Sequence, residues 1–151
     1  MKRLLYIGAL ALLLLADRGT DIGVLRPVEL ISLKEQGGIV LLETDTGDCG
    51  WGLTVEEAVA KLKETTPGRI YLDTADYLLL EEGTERYVPV LCRYLKKSTA
   101  VTFASDDIDL VEAAAYLRIH KPSGTIGRCT QPVEKVVLEG GKMNLKIFQE
   151  K

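Results

Sequence analysis

The chain has 151 residues, a formal net charge of −3 at pH 7, 46% hydrophobic residues and 27% charged residues. This balance is typical of one globular domain and excludes a disordered chain. A nucleic-acid-binding function is not expected, because that function needs a strongly basic face. The three cysteines, Cys49, Cys92 and Cys129, form no C-x-x-C metal pair, and their spacing does not determine a disulfide.

The first sixteen residues have the outline of an export signal. Met1-Lys2-Arg3 carries two positive charges, and residues 4–16 then run for thirteen residues without a charge before Asp17-Arg18. This length suits the apolar part of a signal peptide. It is shorter than a membrane-spanning helix, which needs about 20 residues. We therefore predict an exported protein, or one on the outer face of the cytoplasmic membrane.

The cleavage site leaves two alternatives open. Cleavage after Ala16 would place Leu14 at the third position upstream, where a small residue is preferred. A retained anchor helix is therefore one alternative, and a buried strand or helix that opens an α/β core is the other. We divide the chain into a signal-like or anchor segment, residues 1–16, and a single globular domain, residues 17–151.

The globular part opens with a predicted β-hairpin after an entry loop. Val24 to Leu33 is rich in Val, Leu and Ile, and Pro27 near its start indicates an edge position. Gln36-Gly37-Gly38 suits a tight turn, and Ile39 to Thr44 follows as the second strand. Thr44 to Gly52, which is small and acidic, is expected to be a loop around Trp51.

A capping box predicts the next element. Thr54 is followed three residues later by Glu57, so each can satisfy a backbone amide at the start of a helix. The helix is expected to end by Thr66, before Pro67-Gly68. Its apolar positions recur at helical spacing: Val55, Ala58, Val59 and Leu62.

The following segment alternates between predicted strands and helices. Arg69 to Asp73 and Tyr77 to Leu80 are expected to be strands, with a short helix over residues 76–82 as the alternative. A helix from about Thr84 to Lys97 would bury Val88, Leu91, Cys92 and Leu95, with Pro89 in its first turn. Ala100 to Ala104 is expected to be a buried strand.

The last part predicts a helix and a closing hairpin. Ser105-Asp106-Asp107 is expected to cap a helix from Ile108 to His120, which buries Ile108, Val111, Ala115 and residues 117–119. Thr130 to Leu138 and Met143 to Phe148 flank a glycine turn. We predict an α/β or α+β fold, with helices packed on a mixed sheet and a hydrophobic leader or anchor helix before it.

Loop carboxylates are the first candidates for chemistry. Glu43, Asp45 and Asp48 precede Trp51, and Asp73 and Asp76 flank a predicted kink. They could begin a Ca²⁺ or Mg²⁺ site, but they do not follow the twelve-residue calcium-loop pattern. Solvated turns and caps are the expected role, and a small metal-dependent hydrolase that uses these aspartates is the alternative. We assign no catalytic, cofactor-binding or metal residue.

The remaining candidates have structural explanations. His120 is expected at a helix C-terminus, where a cation is favoured, and no nucleophile is paired with it by spacing. Cys92 is expected to be a buried small hydrophobe. Trp51, between two glycines, is expected to pack over the first hairpin or to anchor a surface contact.

Several segments together resemble a known family. They are Leu12-Leu13-Leu14-Leu15-Ala16-Asp17-Arg18, Asp21-Ile22-Gly23, and Gly52-Leu53-Thr54-Val55-Glu56-Glu57-Ala58 followed by Leu62. They are similar to the opening domain of the spore germination lipoproteins, the C subunits of germinant receptors, over most of residues 16–105. Ala16 stands where that family has a lipidated cysteine.

The resemblance implies a function at a membrane. It implies a non-enzymatic interaction or assembly protein of an endospore-forming bacterium, similar to a truncated germinant-receptor C subunit, with a protein partner at the membrane surface. No catalytic residues are carried over from the family. A cytoplasmic regulatory domain, with residues 4–15 in its core, is a further alternative.

Overall fold

The computed structural model describes residues 25–104, 108–128, 134–139 and 142–147 of the chain. The leader over residues 1–16, the entry loop, the predicted cap at residues 105–107 and the glycine turn at residues 140–141 lie outside the described residues. The predictions about the leader and its location therefore stay predictions. Within the described ranges, no helix has both the length and the apolar character needed to cross a membrane.

The described strands form one seven-stranded mixed sheet and one separate strand pair. The large sheet has the order β4-β3-β2-β6-β7-β8-β9. Strands β2, β6, β7 and β8 are parallel, and antiparallel partners flank them on both sides. The separate pair, β1 and β5, is parallel. The bounds are β1 Leu25–Pro27, β2 Leu30–Gln36, β3 Ile39–Thr44, β4 Cys49–Gly52, β5 Arg69–Tyr71, β6 Tyr77–Leu80, β7 Ala100–Ala104, β8 Glu134–Glu139 and β9 Lys142–Ile147.

Helices cover parts of both faces of the sheet. The helices are α1 Val55–Thr65, α2 Val88–Leu91 and α3 Leu110–Ile119, and 3-10 turns span Leu72–Thr74, Glu85–Tyr87 and Ile126–Arg128. Helices α1 and α2 pack on one face and α3 packs on the other. Strand β6 shows why two cores form, because Leu78 and Leu80 belong to the first core while Tyr77 and Leu79 belong to the second. Central parallel strands are apolar on both faces for this reason.

The structure confirms the predicted mixed sheet with helices packed on it. The first hairpin is confirmed, because β2 pairs antiparallel with β3 and both Gly37 and Gly38 have positive φ. Helix α1 is confirmed with its cap: the Glu57 amide donates to Thr54 Oγ1 at 3.2 Å, and the Leu53 amide donates to Glu57 Oε2 at 2.8 Å.

Two predictions about strands are corrected, and the predicted strand over Tyr77 to Leu80 is confirmed over its helical alternative. The predicted single strand over Val24 to Leu33 divides at Val28 and Glu29 into β1 and β2. The predicted loop over Thr44 to Gly52 contains the strand β4, so Trp51 lies in the sheet. The alternative helix over residues 76–82 is wrong, because Tyr77–Leu80 is a strand between β2 and β7.

Two helix predictions are corrected. The helix expected over Thr84 to Lys97 is reduced to a 3-10 turn and the short α2, and the chain continues in turns after Leu91. Pro89 has no amide to donate to the carbonyl of Glu85, which explains why the segment before Val88 is not α-helical. Helix α3 is capped by Asp109, whose Oδ1 accepts from two amides. Its buried face is Ala113, Ala114 and Leu117, whereas Val111 and Ile119, expected inside, are 64% and 78% exposed.

Candidate binding surface

The acidic turn between β3 and β4 uses its carboxylates to hold the fold. Asp45 Oδ1 accepts from the backbone amides of Glu29 and Leu30, each at 3.2 Å. Asp48 Oδ2 accepts from Thr46 Oγ1 at 2.8 Å and pairs with Arg26 at 3.4 Å. These contacts fix the start of β2 against the end of β3.

The other candidate carboxylates lie elsewhere. Glu43 pairs with Lys34 at 3.1 Å, Asp76 pairs with Lys96, and Asp73 is exposed in a 3-10 turn. Within the part of the chain that the structure describes, no group of three or more His, Cys, Asp and Glu side chains could hold a metal ion. The geometry therefore gives the metal-dependent hydrolase no assembled donor set among these residues.

His120 and the described cysteines occupy ordinary structural positions. His120 is the C-cap of α3, as expected, and its exposed ring lies 4.5 Å from the ring of Tyr116. Cys92 is half-buried against the first core, and its thiol donates to the carbonyl of Ile126 at 3.7 Å. Cys49 is exposed on β4, and Cys129 lies outside the described residues.

The residues on both sides of Trp51 are glycines because α1 packs closely against them. A Cβ on Gly50 would lie 2.3 Å from the carbonyl oxygen of Ala58, and a Cβ on Gly52 would lie 2.4 Å from the Cβ of Glu57. The two glycines therefore face α1 and let the helix approach the strand closely. Because side chains alternate along a strand, Trp51 points to the opposite face of the sheet, where it is 48% exposed.

That opposite face forms a continuous surface across three strands. The register places Lys34 beside Leu41 and Leu41 beside Trp51, and it places Glu43 beside Cys49. Ile39 shares this face because it lies two residues from Leu41. We call this surface the open sheet face; it consists of Lys34, Ile39, Leu41, Glu43, Cys49 and Trp51.

The described helices leave most of the apolar part of the open sheet face uncovered, although Lys61 of α1 reaches Trp51, with its Nζ 5.8 Å from the ring centroid. The core beneath α3 contains residues of β2, β6, β7 and β8 but none of β3 or β4, as far as the described residues extend. Ile39 and Trp51 remain 45% and 48% exposed. An aromatic and two aliphatic side chains thus form an apolar centre in water, which is the composition of an interface core.

A cleft of about 590 Å³ borders the open sheet face. Asp45 and Asp48 line one wall, and the start of α3, with Asp109, Leu110 and Val111, lines the other. Lys34, Glu43 and Cys49 belong to both the cleft and the open sheet face. The apolar centre therefore has a polar, mainly acidic border, as in many protein interfaces.

Sequence analysis identified Trp51 but not the rest of this surface. The available signal was Ile39-Val40-Leu41-Leu42, whose apolar residues point to both faces of a strand. Such a strand is either covered on both faces or leaves one apolar face exposed. Comparison with known proteins gives no further guide, since no family model, curated protein or solved structure matches the chain.

Proposed function

We propose that this chain is an exported or membrane-anchored interaction protein without catalysis of its own, similar to the opening domain of a germinant-receptor C subunit. It binds a protein partner at the membrane surface through the open sheet face. The observation that carries the proposal is the apolar centre of that face, where Ile39 and Trp51 are each nearly half exposed.

The chemistry of the open sheet face supports a protein partner. Tryptophan is among the residues that contribute most to binding when a partner excludes water from it. Trp51 lies on a strand anchored beneath α1, so little conformational entropy is lost when it binds. The Lys34–Glu43 pair and the acidic border supply the polar rim that fixes orientation.

The location rests on the sequence. Two positive charges followed by thirteen uncharged residues suit export or anchoring, and the resemblance to the germinant-receptor C subunits supports a position outside the membrane. Membrane attachment would raise the concentration of the domain near a membrane-embedded partner.

Photo-crosslinking in the native cell tests the partner. A photoreactive phenylalanine analogue replaces Trp51 in the full chain, and the matched control carries it at Ala60, an exposed position on α1. We expect position 51, but not position 60, to form a defined adduct with a membrane protein. Adducts from neither position, or equal adducts from both, would contradict the proposal.

Fractionation with mass spectrometry of the N-terminus tests the location. We expect the chain in the membrane with its leader intact, or outside the cytoplasm with the leader removed. A soluble cytoplasmic chain with an intact N-terminus would overturn the export proposal and favour the regulatory-domain alternative.

A further inference from the structure

A second cleft, of about 420 Å³, lies away from the open sheet face. It is bounded by the last turns of α1, by β5 with the 3-10 turn after it, and by the segment that follows α2. Its side chains include Lys63, Arg69, Tyr71, Asp73, Arg93 and Tyr94. We call it the basic cleft, because it gathers three cations and one carboxylate in a chain whose net charge is −3.

Aromatic rings hold two of the cations in place. Lys63 Nζ lies 5.6 Å from the ring centroid of Tyr94, and the Arg69 guanidinium carbon lies 5.4 Å from the ring centroid of Tyr71. A ring attracts a cation through its quadrupole but does not neutralise the charge. These contacts therefore orient Lys63 and Arg69 and leave their charge available to an anion.

Carboxylates neutralise the cleft only weakly. No described carboxylate lies within 4.0 Å of the Lys63 ammonium or the Arg69 guanidinium, whereas Arg26, Lys96 and Arg118 outside the cleft each have one. Arg93 pairs with Glu56 at 3.6 Å, but the two side chains are 70% and 48% exposed. Exposed pairs of this kind contribute little and separate easily.

We propose that the basic cleft binds a phosphate-bearing ligand. Arginine offers a planar fork of N–H donors that matches two phosphate oxygens, and Arg69 and Arg93 both line the cavity. The volume of the cleft suits a small molecule or one headgroup. A purely structural role, in which a cation stabilises the C-terminus of α1, would explain Lys63. It does not explain the two arginines, because neither belongs to that helix.

The position of the cleft in the fold indicates two sources for such a phosphate. Leu25 lies opposite Arg69 in the parallel pair of β1 and β5, so the chain enters the described domain beside the cleft. If the leader holds the chain at a membrane, the phosphates of anionic lipid headgroups lie within reach. That source rests on the proposed function, whereas a soluble organic phosphate does not.

Direct binding measurements on the full chain test the site. The probes are glycerol 3-phosphate, followed by calorimetry, and phosphatidylcholine vesicles with and without phosphatidylglycerol, followed by cosedimentation. The test variant is K63Q/R69Q/R93Q. The control is K97Q/K121Q/K142Q, which removes the same charge at exposed positions outside the cleft.

We expect saturable binding of at least one probe, weakened about tenfold or more in the cleft variant and unchanged in the control. Binding of glycerol 3-phosphate identifies a soluble ligand, whereas binding that needs both phosphatidylglycerol and intact vesicles identifies the membrane. Absence of saturable binding to either probe, or equal losses in both variants, would overturn the site. Neither result bears on the adduct at Trp51, so this proposal fails separately from the proposed function.

Discussion

At the scale of single residues, several acidic side chains of this protein accept hydrogen bonds from its own backbone. Asp45 is the clearest case, because one carboxylate oxygen accepts from two consecutive amides, Glu29 and Leu30. These amides begin the strand that carries much of the core. A carboxylate with this role resembles a metal ligand in sequence, since both roles favour aspartate in a turn.

Substitution of Asp45 separates the contribution of its hydrogen bonds from that of its negative charge. Asp45→Asn keeps an oxygen acceptor, so we expect it to cost much less than Asp45→Ala, which leaves two amides without their acceptor and costs about 1–3 kcal/mol. Urea unfolding of both variants measures the difference. Equal losses in the two variants would show that the negative charge, rather than the hydrogen bonds, stabilises the turn.

The surroundings of Tyr77 predict that the stability of the fold depends on pH in the alkaline range. Burial raises the pKa of its phenol above the ordinary value, and the nearby carboxylates of Asp76 and Glu29 raise it further, against a smaller opposing effect of Arg118. The native state therefore holds this proton more tightly than the unfolded chain does. The resulting stability is fully present below the unfolded pKa of about 10 and is lost as the pH rises through the native pKa.

We therefore expect the Y77F variant to lose less stability than the wild type as the pH rises above about 10. Free energies of unfolding measured in urea at several alkaline pH values give the comparison. All other residues are the same in the two proteins, so only the difference between the two curves is interpreted. Curves that stay parallel would contradict the role of Tyr77.

At the scale of elements, the contact between α1 and β4 depends on the absence of a side chain. A Cβ on Gly50 would meet backbone atoms of α1 at 2.3 and 2.4 Å, and backbone cannot rotate away as a flexible side chain can. The helix would have to move off the strand. The two-glycine pattern around Trp51 is therefore a packing signal.

We expect Gly50→Ala to lower the free energy of unfolding by about 1–3 kcal/mol or more through overpacking. Gly124→Ala is the matched control, because its Cβ would meet its nearest neighbour, the carbonyl oxygen of Val101, at an ordinary 3.4 Å. Denaturant unfolding of the two variants measures the contrast. A Gly50→Ala protein as stable as the control would show that α1 is free to shift.

Elements specified by neighbouring residues could be predicted from sequence. Thr54 and Glu57 cap α1 within one turn, and Gly37 and Gly38 close the first hairpin. Features specified by packing between elements could not be predicted from the sequence. Strand β4 looks like a loop because its glycines make room for the helix that follows, and α3 buries small alanines while Val111 faces solvent.

At the scale of the whole molecule, the same distinction explains why Trp51 was identified and the open sheet face was not. That surface exists because α3 lies over β2, β6, β7 and β8, and the core beneath it includes no residue of β3 or β4 within the described residues. The order of the strands decides which half of the sheet a helix covers. That order cannot be inferred from any local sequence pattern. The basic cleft likewise joins residues from three separate elements.

Strand order also predicts where the molecule is most resistant to opening. Strands β6 and β7 are each paired on both sides, whereas β9 lies at the edge of the described sheet. We expect the amide of Leu78 to exchange only with global unfolding, and those of Leu145 and Ile147 to exchange through local opening. Native-state hydrogen exchange measures this order. Equal protection of β6 and β9 would contradict it.

The parallel arrangement of β2, β6, β7 and β8 has a consequence for how the chain acquires its structure. The β2–β3 turn needs only Gly37 and Gly38, so that hairpin can form early. By contrast, Leu30 can pair with Tyr77, and Phe103 with Lys135, only after the long segments between them have been synthesised. Closing such long loops is entropically slow. A newly made chain therefore keeps its centre open until most of it has been synthesised, and the strands at that centre stay without their partners for that time.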